Sequence, residues 1–477
     1  MGWDRAKVGS WVSAALASPQ APRALALIIL GIGFVVSLAM NLPGHMSYDS
    51  VLQLAQGRSG IYNNWHPPVM AWLLGVFDMV SPGAGLFVVF DTMLLYGALA
   101  VLVCAPARTF RFAAPLLLLW VLIPDGLIYP GIVWKDVLFA ASALGGFAGL
   151  VLAVRLWPDR RRRFWAIAVS FLLLSLAALT RQNGLVVLPA AAVALGWIAA
   201  RSGGHKPLHS ALAYGLAPLA GAMLVMLAAN AALQAHSDGE PSTIYELEDL
   251  QAYDLAAALQ AEPGLPLSRL KAVNPTLERL LRTKAAPLYS PERLDAISGM
   301  PDLDKALFDT PLADVTGQWR QLVLGHPWLY LKVRIRDFFW VLATPDIDVC
   351  LPFFDGVSGP EPWVTRLGLK NRERPQDLAL KAWGEPWSHS PLSSHLLYLA
   401  IDAVLLGLLL VRRRTMDIPV AGMLAAALLF VATFFLISVA CDYRYLYFLD
   451  VAAIAAGVYV ASDPTGLGLR RRRPAAP

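Results

Sequence analysis

The sequence predicts an all-α polytopic membrane protein, and three observations support this fold class. Of the 477 residues, 57% are hydrophobic and only 15% are charged, whereas soluble domains carry about a quarter charged residues. The mean hydropathy is +0.54. The apolar residues form runs of about 17–25 residues, which is the length of a helix that crosses a hydrocarbon core while satisfying its own backbone polar groups.

Ten runs are long enough to span a bilayer. They are Ala24–Met40, Gly85–Cys104, Ala113–Tyr129, Val137–Leu156, Phe164–Thr180, Gly184–Ala200, Leu208–Leu233, His395–Val411, Ile418–Val439 and Leu446–Ala461. No small-residue cleavage site follows the first run, so we expect a retained span and not a signal peptide. The shorter run Val69–Val80 is interrupted by Asp78 and predicts a helix that lies along the surface.

Basic residues predict the orientation of these spans. With ten crossings, every basic cluster falls on one side, which the positive-inside rule makes cytoplasmic, together with both termini. The clusters are Arg5, Lys7 and Arg23; Arg108 and Arg111; Arg155 and Arg160–Arg163; Arg201 and Lys206; Arg412–Arg414; and Arg470–Arg473. The net charge of +5 reflects these loops, so it is no argument for nucleic acid as a partner.

The chain divides into three parts on this threading. Residues 1–233 form a transmembrane module, residues 234–394 form an extracytoplasmic and mainly helical region, and residues 395–477 supply the last transmembrane helices and a basic tail. Within the second part, Pro327–Leu342 mixes aromatic residues with Lys332, Arg334 and Arg336 and predicts an interfacial helix with snorkelling cations. Cys350 and Cys441 both fall outside, and the sequence leaves open whether they pair.

The first outer loop carries the most informative polar residues. Asp49, between Tyr48 and Ser50, follows the first span, and His66-Pro67-Pro68 precedes the surface helix. Asp49 could be only a helix-end residue, and the prolines suit the first turn of a helix. At a membrane boundary, however, burial would raise the pKa of the Asp49 carboxyl and make it a competent base. A neighbouring cation would instead keep the carboxylate ionised.

Further ionisable residues gather at the same predicted face. Lys135 and Asp136 open the fourth span, Arg181 and Asn183 lie between the next two, and Arg444 precedes the last. Lys135 and Asp136 could form an ordinary interfacial ion pair, and Arg444 could anchor an aromatic belt. Cations are scarce in the short outer loops, which makes Lys135, Arg181 and Arg444 candidates for holding a phosphate.

No Gly-rich phosphate loop, His/Cys metal spacing or Gly-x-Ser-x-Gly elbow occurs in the sequence. Chemistry fuelled by a nucleotide is therefore not predicted. An enzyme facing outward would need a substrate that is already activated, such as a sugar on a lipid phosphate.

Taken in order, these motifs resemble the membrane glycosyltransferases of the GT-C superfamily, with the protein mannosyltransferase and aminoarabinose transferase families nearest in arrangement. The resemblance rests on the first-loop Asp49, the His66-Pro67-Pro68 turn and the acid-containing loop before the fourth span, and it covers about Ala24 to Leu233. Tyr443-Arg444-Tyr445-Leu446 also looks like a feature of bacterial members. Tyr48-Asp49-Ser50 stands where mannosyltransferases commonly have an Asp-Glu pair, which leaves metal use and acceptor class open.

The resemblance implies a GT-C-like bundle in a bacterial-type inner or plasma membrane that moves a sugar from a polyprenyl-phosphate carrier to an extracytoplasmic glycan, lipid or protein. Asp49 is expected to act as general base with His66 beside it. Tyr48, Lys135, Asp136, Arg181, Asn183 and Arg444 are expected to bind substrate. A divalent cation at Asp49 and Asp136 stays open, and membrane lipid is a further expected partner.

Two other classes of protein are weighed against this one. A transporter or flippase for a lipid-linked or anionic substrate predicts charges near mid-membrane and interrupted helices repeated in two halves. A non-catalytic scaffold would leave the placement of Asp49 and Lys135 unexplained. The sequence favours the transferase.

Overall fold

A computed structural model of the chain describes residues 20–62, 66–107, 109–202, 206–237 and 242–465. Arg5, Lys7, Arg108 and the basic tail Arg470–Arg473 lie outside the described residues. The membrane part contains α1 (Ala21–Asn41), α2 (Tyr48–Ser59), α3 (Pro68–Val80), α4 (Gly85–Cys104), α5 (Ala113–Leu122), α6 (Pro124–Leu127), α7 (Lys135–Arg155), α8 (Arg160–Thr180), α9 (Val187–Ser202) and α10 (Pro207–Gln234).

The second half of the chain is also helical. Its elements are α11 (Ser242–Ala261), α12 (Ser268–Val273), α13 (Pro275–Leu280), α14 (Ala286–Leu288), α15 (Pro301–Phe308), α16 (Leu312–Gly325), α17 (Pro327–Ala343), α18 (Glu361–Arg366), α19 (Pro375–Ser388), α20 (His395–Arg412), α21 (Ile418–Ile437) and α22 (Tyr447–Ser462). Extended backbone pairs only in isolated bridges within the described ranges. The predicted all-α class is confirmed.

Nine helices in the described part of the chain are long and apolar enough to cross a membrane, and a bent pair makes ten. Nine of the predicted spans agree with them to within a few residues. The third, Ala113–Tyr129, corresponds to the bent pair, and its bend was not predicted. It consists of Ala113–Leu122 and Pro124–Gly131, bent by 76°.

Side chains from three neighbouring helices compensate for the bend. Pro124 cannot donate a backbone hydrogen bond, so the helix is interrupted there. Asn41 donates its amide to the carbonyl of Leu127 at 2.7 Å, Tyr96 donates its hydroxyl to that of Gly126 at 2.9 Å, and Tyr447 donates to that of Asp125 at 2.7 Å. Broken helices are tolerated in membranes where such partners replace the lost bonds.

The short helix α3 has 13 residues, which is too few for a comfortable span, as predicted. Pro68 is its first residue, so the expected helix-starting role of the proline pair is confirmed. It packs closely on α2 where Gly57 meets Gly75. A Cβ built on Gly75 would overlap the backbone of Gly57.

Replacing Gly75 with alanine is expected to push α2 and α3 apart. Because α2 begins next to Asp49 and α3 begins two residues after His66, the distance between those two side chains would grow. We expect Gly75→Ala to lower activity by about tenfold or more, since small misplacements of reacting groups are costly. Gly97→Ala is the matched control, because a Cβ at Gly97 in α4 meets nothing within 4 Å. Equal activity of both variants in a transfer assay would contradict the expectation.

Residues 242–394 are called here the extramembrane region. Its residues 252–333 enclose a core of their own that includes Tyr253, Leu281, Leu307 and Val333. The predicted helix Pro327–Leu342 is present as α17, but snorkelling is wrong for Arg334. Its side chain is fully buried.

Arg334 is buried because several groups satisfy its guanidinium. It donates to Asp254 at 2.7 Å and to the backbone carbonyls of Phe435 and Ser438 at 3.0 and 2.9 Å, where α21 ends. Asp337 lies 3.4 Å away. The carboxylates and the helix C-terminal carbonyls compensate the charge of this buried arginine and satisfy its hydrogen bonds. Arg334 therefore connects the extramembrane region to the membrane part.

Cys350 and Cys441 form a disulfide, which answers the question that the sequence left open. The bond joins the extramembrane region to the segment just before Tyr443. The backbone N–H of Tyr443 also donates to the carbonyl of Cys350 at 2.7 Å. The turn that carries Arg444 is therefore held on its N-terminal side.

The Cys441→Ser variant is expected to be less stable by about 4 kcal/mol, because the disulfide closes a long loop and restricts the unfolded chain. The closed loop spans a sequence separation of 91 residues. Thermal unfolding of the detergent-solubilised protein would measure the loss. Cys104→Ser, which removes the free cysteine, serves as control and should leave the transition in place; identical transitions for both variants would contradict the prediction.

Candidate active site

Short extended segments bring the polar loops together. The backbone N–H of His45 donates to Gly131, and that of Val133 donates to His45, both at 2.9 Å; Met46 N–H donates to Gly356 at the same distance. Two serines beside Asp49 complete the connection. Ser50 donates to the carbonyl of Val133 at 2.6 Å, and Ser47 accepts from the indole of Trp134 at 3.0 Å. The first loop and the Trp134-Lys135-Asp136 segment are thus fixed side by side.

Asp49, His66 and Lys135 form a polar chain. The ammonium of Lys135 lies 3.1 Å from Nδ1 of His66, and Nε2 of His66 faces a carboxylate oxygen of Asp49 at 3.6 Å. A lysine ammonium has only donors, so Nδ1 accepts and Nε2 carries the proton that faces Asp49. His66 therefore orients Asp49 from one side.

The protonation states follow from burial and neighbouring charge. Burial lowers the pKa of His66 to about 4, with Lys135 adding to the shift and Asp49 opposing it, so the imidazole is neutral at neutral pH. Burial opposes the charge of Asp49, but polar contact with His66 and the cations Arg444 and Lys135 outweigh it and hold the pKa of the carboxyl below its usual range. Asp49 is ionised at neutral pH.

Arg444 is shared among three carboxylates. Its guanidinium lies 3.3 Å from Asp49, 3.0 Å from Asp442 and 3.8 Å from Asp136. The same group lies over the ring of Trp134, 4.7 Å from its centroid. The ring of Trp134 and the three carboxylates hold the guanidinium of Arg444 strongly. Because several anions share this guanidinium, Arg444 can exchange one anionic partner for another.

Arg181 and Asp136 form a buried ion pair in the same group. Arg181 also lies over the rings of Phe430, Phe434 and Tyr445, within 5.7 Å of each centroid. Asn183 accepts from Arg181 at 3.3 Å and donates to Thr433 of α21 at 2.9 Å. Asn183 therefore links the side chain of Arg181 to α21 and holds it in place.

An apolar groove runs from this cluster along the helices α8 and α10. Its part nearest the cluster is a cavity of about 400 Å³, and Arg181, Gln182 and Pro67 lie at one end of it. The remaining lining is mostly apolar and includes Leu179, Leu185, Met223, Met226, Leu227 and Leu233. A second cavity of about 740 Å³ continues between the same two helices as far as Arg160 and Arg163.

The sequence predicted the members of this cluster better than its surroundings. Asp49, His66, Lys135, Asp136, Arg181 and Arg444 meet in one place, and Asn183 adjoins them. Tyr48 does not join them: it is 57% exposed and shares none of these hydrogen bonds or ion pairs within the described part of the chain. The predicted interfacial helix, α17, contributes no residue to the lining described above.

Two participants were not predicted as site residues. Asp442, which binds Arg444, lies two residues before it in sequence and could have been inferred from that spacing. Glu246 of α11 accepts hydrogen bonds from Gln182, with both carboxylate oxygens 2.9 Å from the amide nitrogen. Nothing in the sequence around Glu246 distinguishes it from the other acids of α11.

The described residues include no group of three or more His, Cys, Asp or Glu side chains arranged to hold a metal ion. The two carboxylates considered as ligands are already engaged with cations: Asp136 with Arg181, and Asp49 with Arg444. The donor set does not fit a metal, and no chemical step is assigned to one.

No protein-family model matches the sequence. No curated protein matches it either. Solved structures of the oligosaccharyltransferase of Archaeoglobus fulgidus align with the chain at low sequence identity.

The structure described as a complex with Zn and sulfate shares 13% identity with this chain at a TM-score of 0.42, over 91% of this chain and 48% of that one. The structure of the same organism's AglB with an inhibitory peptide and a dolichol-phosphate shares 13% identity at a TM-score of 0.41, over 91% of this chain and 50% of that one. The chain spans about half their length, and at this TM-score the likeness says nothing about substrate.

Proposed function

We propose that the protein is an integral membrane glycosyltransferase that moves a sugar from a polyprenyl-phosphate carrier to an acceptor hydroxyl of a cell-envelope glycan, lipid or protein. The observation that carries the proposal is the convergence of one ionised carboxylate, Asp49, with Lys135, Arg181 and Arg444, of which Arg181 lines one end of an apolar groove. Cations beside a lipid-sized groove suit an anionic head group with a long apolar tail.

In the proposed reaction the acceptor oxygen attacks the anomeric carbon of the sugar. The bond from that carbon to the phosphate oxygen breaks, its electron pair leaves with the polyprenyl phosphate, and the hydroxyl proton passes to Asp49. Lys135, Arg181 and Arg444 hold the phosphate as its negative charge grows. His66 orients the base, and Asp136 keeps Arg181 in position.

A carboxylate with a lowered pKa is ionised but is a weak proton acceptor. Because Arg444 is shared among several anions, its contact with Asp49 can be weakened when the donor binds. A bound phosphate competes with Asp49 for Arg444 and Lys135, so the charge that lowers the pKa of Asp49 is drawn toward the donor. Binding of the donor thereby raises the basicity of Asp49 at the moment when a base is required.

The proposal places the cluster outside the cytoplasm, with both termini inside. The clustering of basic residues at the opposite loops supports this orientation. The disulfide between Cys350 and Cys441 supports it as well, because such bonds persist in oxidising compartments. The groove beside Arg181 and Gln182 would take the prenyl chain.

A transporter is the second candidate, and one observation favours it. The bent pair contains the buried Asp125, and Asp402 and Asp450 are buried within helices of the membrane part, as expected of a transport path. Asp450, however, lies 2.9 Å from His395 and accepts from the hydroxyl of Tyr443 at 2.9 Å. These contacts support a role in holding the turn that precedes Arg444.

Proteoliposomes with purified protein would distinguish the two functions. We expect labelled sugar to move from a polyprenyl-phosphate donor to an added membrane-extract acceptor, with polyprenyl phosphate released in equal amount. Release without transfer would point to hydrolysis, and movement of intact donor between leaflets without bond cleavage would establish the transporter. Liposomes that contain heat-inactivated protein are the control.

A further inference from the structure

Glu246 brings a carboxylate from the extramembrane region to the cluster. Its two oxygens accept from the side-chain amide of Gln182, each at 2.9 Å. Burial raises the pKa of Glu246 to about 7, against the attraction of Lys135 and the hydrogen bond from Gln182. Among the described contacts Glu246 forms no direct ion pair with Lys135, and its hydrogen-bond partner is Gln182.

The groove shows where Gln182, and with it Glu246, lies relative to the proposed donor. Gln182 follows Arg181 in sequence, and both residues lie at the polar end of the groove that would hold the prenyl chain. A sugar is joined to the carrier phosphate by a single oxygen, so its hydroxyls lie within about one ring diameter of the phosphate. A phosphate held by Arg181 would place its sugar beside the next residue, Gln182, and Gln182 contacts Glu246.

We infer that Glu246 and Gln182 form the subsite that binds the transferred sugar, and that they select a neutral sugar with free hydroxyls over one that carries a carboxylate. This inference rests on the proposed function. Above its pKa of about 7, the Glu246 carboxylate is mostly ionised and can accept from two hydroxyls at once, while a side-chain amide both donates and accepts. A uronic acid would place a second negative charge against Glu246, whereas a neutral sugar keeps every hydrogen bond without that repulsion.

A rival interpretation makes different predictions. Glu246 could stand in for the donor phosphate, occupying Gln182 and the field of Lys135 until the donor displaces it. Removing its charge would then strengthen the binding of any lipid phosphate, with or without a sugar. If Glu246 binds the sugar, removing its charge weakens only the sugar-bearing donor.

The test is equilibrium binding to the full-length protein in nanodiscs. The probes are sugar-free polyprenyl phosphate and the same lipid carrying glucose, mannose, arabinose or glucuronic acid. We expect the wild-type protein to bind at least one neutral-sugar lipid more tightly than the sugar-free lipid, and the glucuronic acid lipid no more tightly. In Glu246→Gln this preference should fall by about tenfold or more, with sugar-free binding unchanged. Glu262→Gln, an exposed acid just beyond α11, is the matched control and should behave as wild type.

Four results would overturn the inference. The first is tighter binding of sugar-free lipid by Glu246→Gln, which establishes the rival. The second is a wild-type protein that binds sugar-free lipid but prefers no neutral sugar, and the third is a Glu246→Gln variant that keeps the preference; the proposed function survives both. The fourth is a wild-type protein that binds no polyprenyl phosphate, which removes the proposed function as well.

Discussion

Replacing Asp49 with asparagine is expected to reduce sugar transfer by about 10³-fold while leaving the protein folded and inserted. The amide cannot accept the acceptor proton, and general base catalysis is worth about 10²–10⁴ in rate. The fold should survive because Arg444 keeps Asp442 at 3.0 Å and Asp136 at 3.8 Å when Asp49 loses its charge. Initial rates in proteoliposomes, with thermal unfolding measured on the same preparation, would test both statements.

Asp295→Asn is the matched control for this experiment. Its carboxylate lies in the extramembrane region with a side chain 81% exposed, and its ion pair with Arg293 at 3.6 Å is at the surface. We expect wild-type transfer from this variant. Full activity of Asp49→Asn in the purified assay would remove Asp49 from the mechanism, even if the remainder of the cluster binds the donor.

Variants of the buried ion pair of Arg181 and Asp136 should affect stability and catalysis differently. Arg181→Met alone leaves the Asp136 carboxylate, with a side chain only 2% exposed, without its main partner. We expect a loss of about 3 kcal/mol, because a buried charge without compensation is costly. The double variant Arg181→Met/Asp136→Leu should recover most of that stability, since a buried ion pair can be replaced by apolar groups of similar size.

Transfer, in contrast, should stay about 10²-fold or more below wild type in the double variant, because one of the cations assigned to the phosphate is gone. A comparable change at the surface, Arg269→Met/Asp314→Leu, removes an ion pair of 2.9 Å whose arginine is 44% exposed and should affect neither property appreciably. Recovery of both stability and transfer by the double variant at 181 and 136 would show that Arg181 has only a structural role.

Hydropathy located the membrane helices because length and composition alone determine which segments can span. The bend at Ile123 and Pro124 was missed for the same reason: the apolar run continues through it, and the hydrogen bonds that permit it come from Asn41, Tyr96 and Tyr447. The burial of Arg334 was missed similarly. Its principal partner, Asp254, is 80 residues away, and no local pattern relates the two.

The candidate site was predictable where its residues occupy loop positions at one face of the membrane. Asp49, Lys135, Arg181 and Arg444 each follow or begin a span, so threading alone placed them together. Glu246 could not be found in this way, because it reaches the cluster from a separate region through the amide of Gln182. Its neighbours Glu248 and Asp249 are also acidic and also buried.

The bent helix pair has a consequence for biogenesis. Two of the side chains that satisfy its free carbonyls, Asn41 and Tyr96, are synthesised before it, but the third, Tyr447, lies in the last helix. A ribosome therefore releases the segment 113–131 into the lipid long before its full set of hydrogen bonds exists. Chains truncated ahead of residue 447 should leave the carbonyl of Asp125 unsatisfied, which marks them as substrates for membrane quality-control proteases.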